Sequence, residues 1–159
     1  MKAKHHFWSS LAVGGALYWT TGSSAALAGS MVGGFLIDSD HIIDQLWSIG
    51  HNAPFRRKRA ADEVGTSTGT TWFVNLFRPR RLVRLPLVFH SYELLAILSV
   101  LTLVLRTPFM IGLLLGYALH LTLDLIRHHH EFRSPLFYLL SYRLTRRFRR
   151  DQLIKPEYL

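Results

Sequence analysis

The segment GYALHLTLDLIRHHH, residues 116–130, combines an apolar helical pattern with side chains that can bind metal ions. His120 and Asp124 are four residues apart, so on a helix they share one face, with Cβ atoms about 5–6 Å apart. An imidazole and a carboxylate placed in this way either form a structural hydrogen bond or hold a metal ion together. The pair alone does not decide between these two roles.

Three further motifs carry the same types of side chain: a histidine near the N-terminus, the sequence DSDH and the sequence HSYE. In HSYE the histidine and the glutamate are three residues apart and share a helical face. Each motif also has a structural interpretation, since DSDH could cap a helix and HSYE could form an interfacial pair. The side chains concerned are His6, Asp38, Asp40, His41, His90 and Glu93.

Four apolar segments must position these side chains, and they predict an all-α fold with helices over about residues 5–20, 24–40, 85–106 and 108–127. The first two are rich in glycine and alanine, with Ala25, Gly29 and Gly33 at four-residue spacing, which predicts a tight helical hairpin. The last two are long enough to cross a bilayer, which needs about 20 residues. The chain is therefore predicted to be a single polytopic membrane domain, residues 1–159, with about four transmembrane helices. A soluble four-helix bundle is the alternative, although residues 94–105 offer almost no polar face.

The positive charges predict an orientation for these helices. The chain has 19 Lys and Arg residues against 10 Asp and Glu. If all four helices cross, only Arg106 lies on the side of the two short turns, and the other 18 (19 − 1) lie with both termini and the loop over residues 43–84. Positive residues mark the cytoplasmic side, so we expect a multi-pass inner-membrane protein with both termini in the cytoplasm.

The basic runs also predict which partners the chain has. They lack the interleaved aromatic residues that read nucleic-acid bases, so we expect membrane lipids and no nucleic acid. Residues 135–150 begin apolar and end basic, which predicts an interfacial amphipathic helix on anionic lipid. Arg127 and Arg143 are candidates to hold an anionic substrate headgroup.

Helix lengths place the candidate ligands at one depth, when about 1.5 Å per residue is counted from the two short turns. A charged side chain in hydrocarbon costs roughly 2.5–3.5 kcal/mol, so these groups must face a partner. Carboxylates and imidazoles without nearby Lys or Arg call for a cation. In a chain without cysteine this donor set suits one or two zinc ions, with manganese or iron as alternatives. Two ions would suit phosphoester hydrolysis, with Glu93 as the candidate general base.

The order of these motifs resembles that of the bacterial and archaeal membrane-bound metal-dependent hydrolase family. The motifs are His6, DSDH at 38–41, His90-Ser91 and GYALHLTLD at 116–124, followed by Tyr142-Arg143 as in one branch. The resemblance implies a hydrolase that acts from the cytoplasmic face on a lipid-linked or membrane-accessible ester, with these side chains as ligands or their neighbours. The alternative is a non-catalytic membrane protein whose His/carboxylate layer holds a structural metal or handles ions or protons.

Overall fold

The computed structural model of the chain describes residues 3–39, 85 and 87–158. Over these residues the chain forms helices and turns, with one isolated antiparallel bridge between Phe132 and Ile154. The all-α prediction is therefore confirmed for this part of the chain. The four main helices are α1 (Ala3–Thr21), α2 (Ser24–Gly34), α3 (Tyr92–Leu105) and α4 (Pro108–His128).

Two short turns join these helices in pairs. Gly22 connects α1 to α2 with a positive φ of 68°, a conformation that glycine adopts without strain. Arg106 ends α3 in the left-handed region, and the Thr107 side chain then caps α4 by accepting the N–H of Met110 at 3.3 Å. Each pair of helices is therefore antiparallel.

Glycines bring α2 and α4 into backbone contact. A Cβ atom at Gly29 would collide with the carbonyl oxygen of Phe109, and one at Gly33 would collide with that of Leu113. On the other side, a Cβ at Gly112 would meet the carbonyl of Ala26. The residue numbers of the contacting pairs increase together along the two helices, so α2 and α4 run parallel. The two turns that precede these helices therefore lie at one end of the bundle. The four-residue spacing in α2 thus marks a helix interface, with α4 as the partner.

The segment after α4 folds back as several short helices. A 3₁₀ turn (Pro135–Tyr138) precedes α5 (Leu140–Thr145) and α6 (Arg150–Leu153), and a last 3₁₀ turn covers Pro156–Tyr158. The prediction of one amphipathic helix over residues 135–150 is wrong. Leu139 is extended, and Arg147 and Phe148 have left-handed φ angles of 52° and 57°, so helical hydrogen bonding stops twice.

The apolar core lies between this C-terminal segment and the second half of α4. Phe137 and Tyr138 are both buried in one cluster with Tyr117 and Leu121 of α4, so the segment packs on the bundle. The ring of Phe132 stacks on that of Phe137 with centroids 3.7 Å apart. The buried core residues are Leu85, Leu87, Tyr117, Leu121, Phe137, Tyr138, Leu153 and Ile154.

The helix bounds do not support the finer prediction of about four membrane-crossing helices. Among the described helices, only α4 is both long and apolar enough to span a bilayer. The second predicted helix ends as an α-helix at Gly34 and is followed by a 3₁₀ turn, Leu36–Ser39. The helix α3 begins seven residues after the predicted start at 85 (92 − 85). At about 1.5 Å per residue, α2 and α3 are about 16 and 21 Å long, against a hydrocarbon core of about 30 Å. The predicted loop over residues 43–84 lies outside the described residues.

Candidate metal centre

The centre is built around His120 on α4. Its Nδ1 lies 2.8 Å from the carbonyl oxygen of Gly34, which can only accept, so the Nδ1 nitrogen carries the proton. In the neutral ring the Nε2 nitrogen therefore keeps its lone pair. The close contact of α2 with α4 makes this bond reachable, because Gly33 and Gly116 leave the two backbones without intervening side chains. A histidine that donates one N–H to a backbone carbonyl is the usual arrangement of a metal ligand.

Three other side chains converge on the Nε2 nitrogen of His120. It lies 2.9 Å from His90 Nε2, 3.6 Å from Asp38 Oδ1 and 3.5 Å from Asp124 Oδ2. His90 Nε2 lies 3.7 Å from the same Asp38 oxygen and 3.6 Å from the same Asp124 oxygen. Two ligands of a tetrahedral zinc ion are separated by about 3.3 Å, given Zn–N and Zn–O bonds of about 2.0–2.1 Å. The five separations lie on both sides of that value.

These contacts define two overlapping groups that could hold a metal ion: His6, His120 and Asp124, and Asp38, His90 and His120. The two groups share His120, whose single free lone pair can serve one ion only. Asp124 also links them, because its Oδ1 lies 3.2 Å from His6 Nε2 while its Oδ2 faces the other histidines. The predicted coordination of a metal by His and Asp is thus supported by the geometry.

A chain of serine hydroxyls positions His6. The Ser10 hydroxyl donates to the carbonyl of His6 at 2.6 Å, and the Ser30 hydroxyl donates to the carbonyl of Ser10 at 2.9 Å. Both serines are fully buried, so α1 is fixed on α2 with the His6 ring turned inward and only 1% of the residue exposed. The His6 and His120 rings lie 4.1 Å apart between centroids. The neighbouring His5 is exposed, which identifies His6 as the histidine of the centre.

A short non-helical loop, residues 87–91, presents His90. Its Ser91 caps α3 by accepting the N–H of Leu94 at 3.2 Å. The buried hydroxyl of Tyr117 donates to the carbonyl of Phe89 at 2.6 Å and accepts the N–H of Ser91 at 3.1 Å. Residues on both sides of His90 are therefore held by a side chain from α4.

The Glu93 side chain is directed at the start of α5, although a role as general base would require it to face the metal centre. Its Oε2 accepts the N–H of Leu140 at 2.8 Å, and its Oε1 accepts both the N–H and the hydroxyl of Ser141, at 2.9 and 2.8 Å. The carboxylate thus caps the start of α5 and belongs to neither metal-binding group. Its placement is structural, and no local pattern around residue 93 predicts a partner 47 residues away.

The two arginines predicted to hold a headgroup differ in exposure. Arg127 is exposed in the last turn of α4. Arg143 is fully buried and donates to the carbonyls of Leu87 and His90, both at 2.9 Å. The prediction of headgroup contact is therefore wrong for Arg143, because a guanidinium committed to buried carbonyls cannot reach a ligand at the surface.

Sequence reasoning missed several residues that build the centre. Gly34 contributes only a carbonyl, and Tyr117 acts on backbone atoms 26 residues away, so neither leaves a local signature. Tyr138 is also close: burial, and after it the charge of Asp124, raises the pKa of the Tyr138 phenol well above its usual range. The phenol therefore stays neutral beside the centre. The predicted ligands Asp40 and His41 lie outside the described residues.

Comparison of the chain with protein-family models, with curated proteins and with solved structures finds no match.

Proposed function

We propose that the chain is a metal-dependent hydrolase of the cytoplasmic membrane that acts on a lipid-linked or membrane-accessible ester, most simply a phosphoester. The observation that supports this best is the convergence of two imidazole nitrogens and two carboxylates within 2.9–3.7 Å. Neutral imidazoles with carboxylates are the ligand set of many catalytic zinc sites, and manganese or iron accept the same donors. We propose zinc as the resident metal, with one ion in the Asp38, His90 and His120 group.

Among the described residues of the centre, Asp38 marks an accessible edge, which gives the proposal a direction of approach. The Asp38 side chain is 22% exposed, whereas that of Asp124 is 9% exposed and those of His90 and His120 are almost completely buried. A substrate would therefore enter beside Asp38. A divalent ion bound there would supply Lewis-acid activation of a phosphoryl oxygen and of a water molecule. The chain's own residues hold the ligands in place and keep bulk water from the buried side.

Exposed apolar side chains support the membrane location. They cover the outer face of α3 and the first half of α4, and they extend the apolar surface of the helix that is long enough to span a bilayer. Soluble monomers rarely expose contiguous apolar patches of more than a few hundred Å². The residues are Ile97, Val100, Leu101, Leu103, Val104, Leu105, Phe109, Ile111 and Leu115.

The proposed depth of the centre follows from the helices. His120 lies 12 residues from the start of α4 (120 − 108) and His6 lies 15 from the end of α1 (21 − 6), or about 18 and 22 Å. The centre would thus lie inside the cytoplasmic boundary of a core of about 30 Å. There the scissile bond of an amphiphile anchored by its hydrocarbon chain would be within reach.

One observation favours the alternative of a non-catalytic metal or ion-handling protein. Both carboxylate oxygens of Glu93 are occupied by α5, so the expected general base is not directed at the centre. Asp38, the most exposed of the described ligand candidates, lies beside the accessible edge. The resemblance to the membrane-bound hydrolase family supports the catalytic reading, and the experiment below separates the two.

The test is metal analysis of the detergent-purified chain, followed by hydrolysis of mixed bacterial phospholipids and of a soluble phosphodiester. We expect at least one zinc ion per chain and chelator-sensitive release of headgroup or phosphate. The Asp38→Asn variant should lose turnover, while Ser39→Ala, a change at the exposed neighbour, serves as the matched control. Metal-loaded wild type that is inert on every ester would establish the non-catalytic reading, and a chain that binds no metal would refute both.

A further inference from the structure

The loop that carries His90 is held by a side chain from the C-terminal segment. Nη1 of Arg143 donates to the carbonyl of Leu87 and Nη2 donates to that of His90, both at 2.9 Å. Leu87 has a φ of 43°, which is unfavourable for a residue with a Cβ atom. A rigid guanidinium that bonds both ends of this turn fixes the backbone from which the His90 ring projects.

The environment of Arg143 shows a specific use of its charge. The residue is 0% exposed, and its guanidinium lies over the ring of Phe137 at 5.6 Å from the centroid. Burial of a guanidinium is costly unless hydrogen bonds compensate, and an apolar side chain would fill the same space more cheaply. The two carbonyls that it bonds are those of the loop, one belonging to a ligand candidate.

A second contact joins the same two parts of the chain in the opposite direction. Glu93, three residues after His90, accepts the backbone N–H groups of Leu140 and Ser141 at the start of α5. A negative charge at this end of a helix also favours the helix itself. Arg143 lies within the next turn of α5. The start of α3 and the start of α5 are therefore tied by a pair of reciprocal bonds, which we call the latch, formed by Glu93, Ser141 and Arg143.

We propose that the latch sets the metal affinity of the centre, with Arg143 as a positioning residue for the ligand His90. The inference rests on the proposed metal binding but not on hydrolysis. It assigns Arg143 a role through His90, since two of its bonds reach the carbonyls of residues 87 and 90. The contribution of Arg143 should therefore disappear when His90 no longer binds the metal.

The test compares Arg143→Met and Arg143→Lys with Arg146→Met in the full chain in detergent. Arg146 is a matched control because it is exposed at the end of α5 and lies over the ring of Tyr142 at 5.5 Å. Zinc affinity is measured by competition with a chelator, and the cobalt-loaded protein is examined by visible absorption. Substitutions that disturb the support of a ligand typically cost 10–100-fold in metal affinity, so we expect about that loss for Arg143→Met. Lysine, with one donor head in place of the fork, should restore part of the affinity.

A double-mutant cycle with His90→Ala separates positioning from general destabilisation. We expect Arg143→Met to weaken zinc binding strongly in the wild type and little in the His90→Ala background, with an altered cobalt spectrum only when His90 is present. Equal losses in both backgrounds, or an unchanged affinity and spectrum, would overturn the proposal. If Arg143→Met does not fold, Ser141→Ala weakens the latch from its exposed side and should lower zinc affinity by roughly two- to three-fold, and unchanged affinity there would overturn it too. Wild type that binds zinc without hydrolysing any ester would refute the hydrolase and leave the latch standing.

Discussion

The Nε2 nitrogens of His90 and His120 lie 2.9 Å apart, with the second ring fixed by its bond to Gly34. Because the Nδ1–H of His120 donates to the Gly34 carbonyl, the lone pair on Nε2 points at the other imidazole. Either His90 donates a proton across this contact, or both lone pairs face a shared cation. The two carboxylates that flank the same atoms favour the cation.

The first prediction separates the structural bond of His120 from its metal contact. In His120→Asn the amide nitrogen can replace the Nδ1 donor to Gly34, but nothing replaces the Nε2 lone pair. We expect the free energy of unfolding to stay within about 1 kcal/mol of the wild type, since the buried hydrogen bond is kept. Zinc content, measured by elemental analysis, should fall to a small fraction. Stoichiometric zinc in this variant would show that the residue 120–124 pair is purely structural.

A second prediction uses two adjacent histidines as target and control. His6 is 1% exposed and lies 3.2 Å from Asp124, whereas His5 is exposed on the same helix turn. We expect His6→Ala to lower zinc affinity by roughly 10–100-fold, because Asp124 loses the group that orients its carboxylate. His5→Ala should bind zinc as the wild type does. Equal behaviour of the two variants in a chelator competition would remove His6 from the centre.

The third prediction concerns the glycine contact between α2 and α4. A Cβ at Gly33 would meet the backbone of Leu113 and Tyr117, whereas one at Gly15 would meet open space. Gly33→Ala should destabilise the fold by about 1–3 kcal/mol and weaken zinc binding, because the bond from His120 to Gly34 requires this approach. Gly15→Ala should raise stability by roughly 0.5–1 kcal/mol through helix propensity. Thermal unfolding in detergent measures both effects. Wild-type stability in Gly33→Ala would show that α2 and α4 can move apart to accommodate the methyl group, which would contradict the prediction.

The sequence predicted what depends on local spacing. The pairing of His120 with Asp124, the small-residue face of α2 and the break at Arg106 and Thr107 all follow from helical periodicity and capping. The structure also brings His6, Asp38 and His90 to the same place, as the count of residues from the turns indicated.

The roles of Glu93 and Arg143 could not be predicted, because both depend on how the C-terminal segment folds back. Their partners are backbone groups 47 to 56 residues away, and any residue type could supply those groups. The length of α3 was overestimated for a related reason. Residues 85–91 are as apolar as a membrane helix, which is why the sequence pattern includes them. The positive φ of Leu87 is incompatible with a helix at that residue, and the Ser91 side chain caps the helix that begins at Tyr92.

The fourth prediction follows from the position of Glu93. Glu93→Gln keeps the size of the side chain but replaces one carboxylate oxygen with an NH₂ group. That NH₂ donor would face the backbone N–H of residue 140 or 141, so one hydrogen bond is lost. We expect a loss of about 1–2 kcal/mol in unfolding free energy, with less-than-additive loss when combined with Ser141→Ala. Turnover per bound metal should stay within a few-fold of the wild type. A fall of 10²–10⁴-fold at unchanged metal content would instead identify Glu93 as the general base.

The last prediction concerns orientation in the membrane. Because α2 and α4 run parallel, Gly22 and Arg106 lie at one end of the bundle, and the start of α1 and the end of α4 lie at the other. The strongly basic segment Arg143–Arg150 follows at that second end, and positive residues favour the cytoplasm. A reporter fused after residue 159 should therefore be active in the cytoplasm, and one inserted between Gly22 and Ser23 should be active outside it. The control inserts the same reporter between Arg106 and Thr107, where it should match the insertion at Gly22. A C-terminal reporter active outside the cytoplasm would place the metal centre at the opposite face of the membrane and refute access from the cytoplasm. Activity of all three reporters on one side would refute membrane crossing altogether.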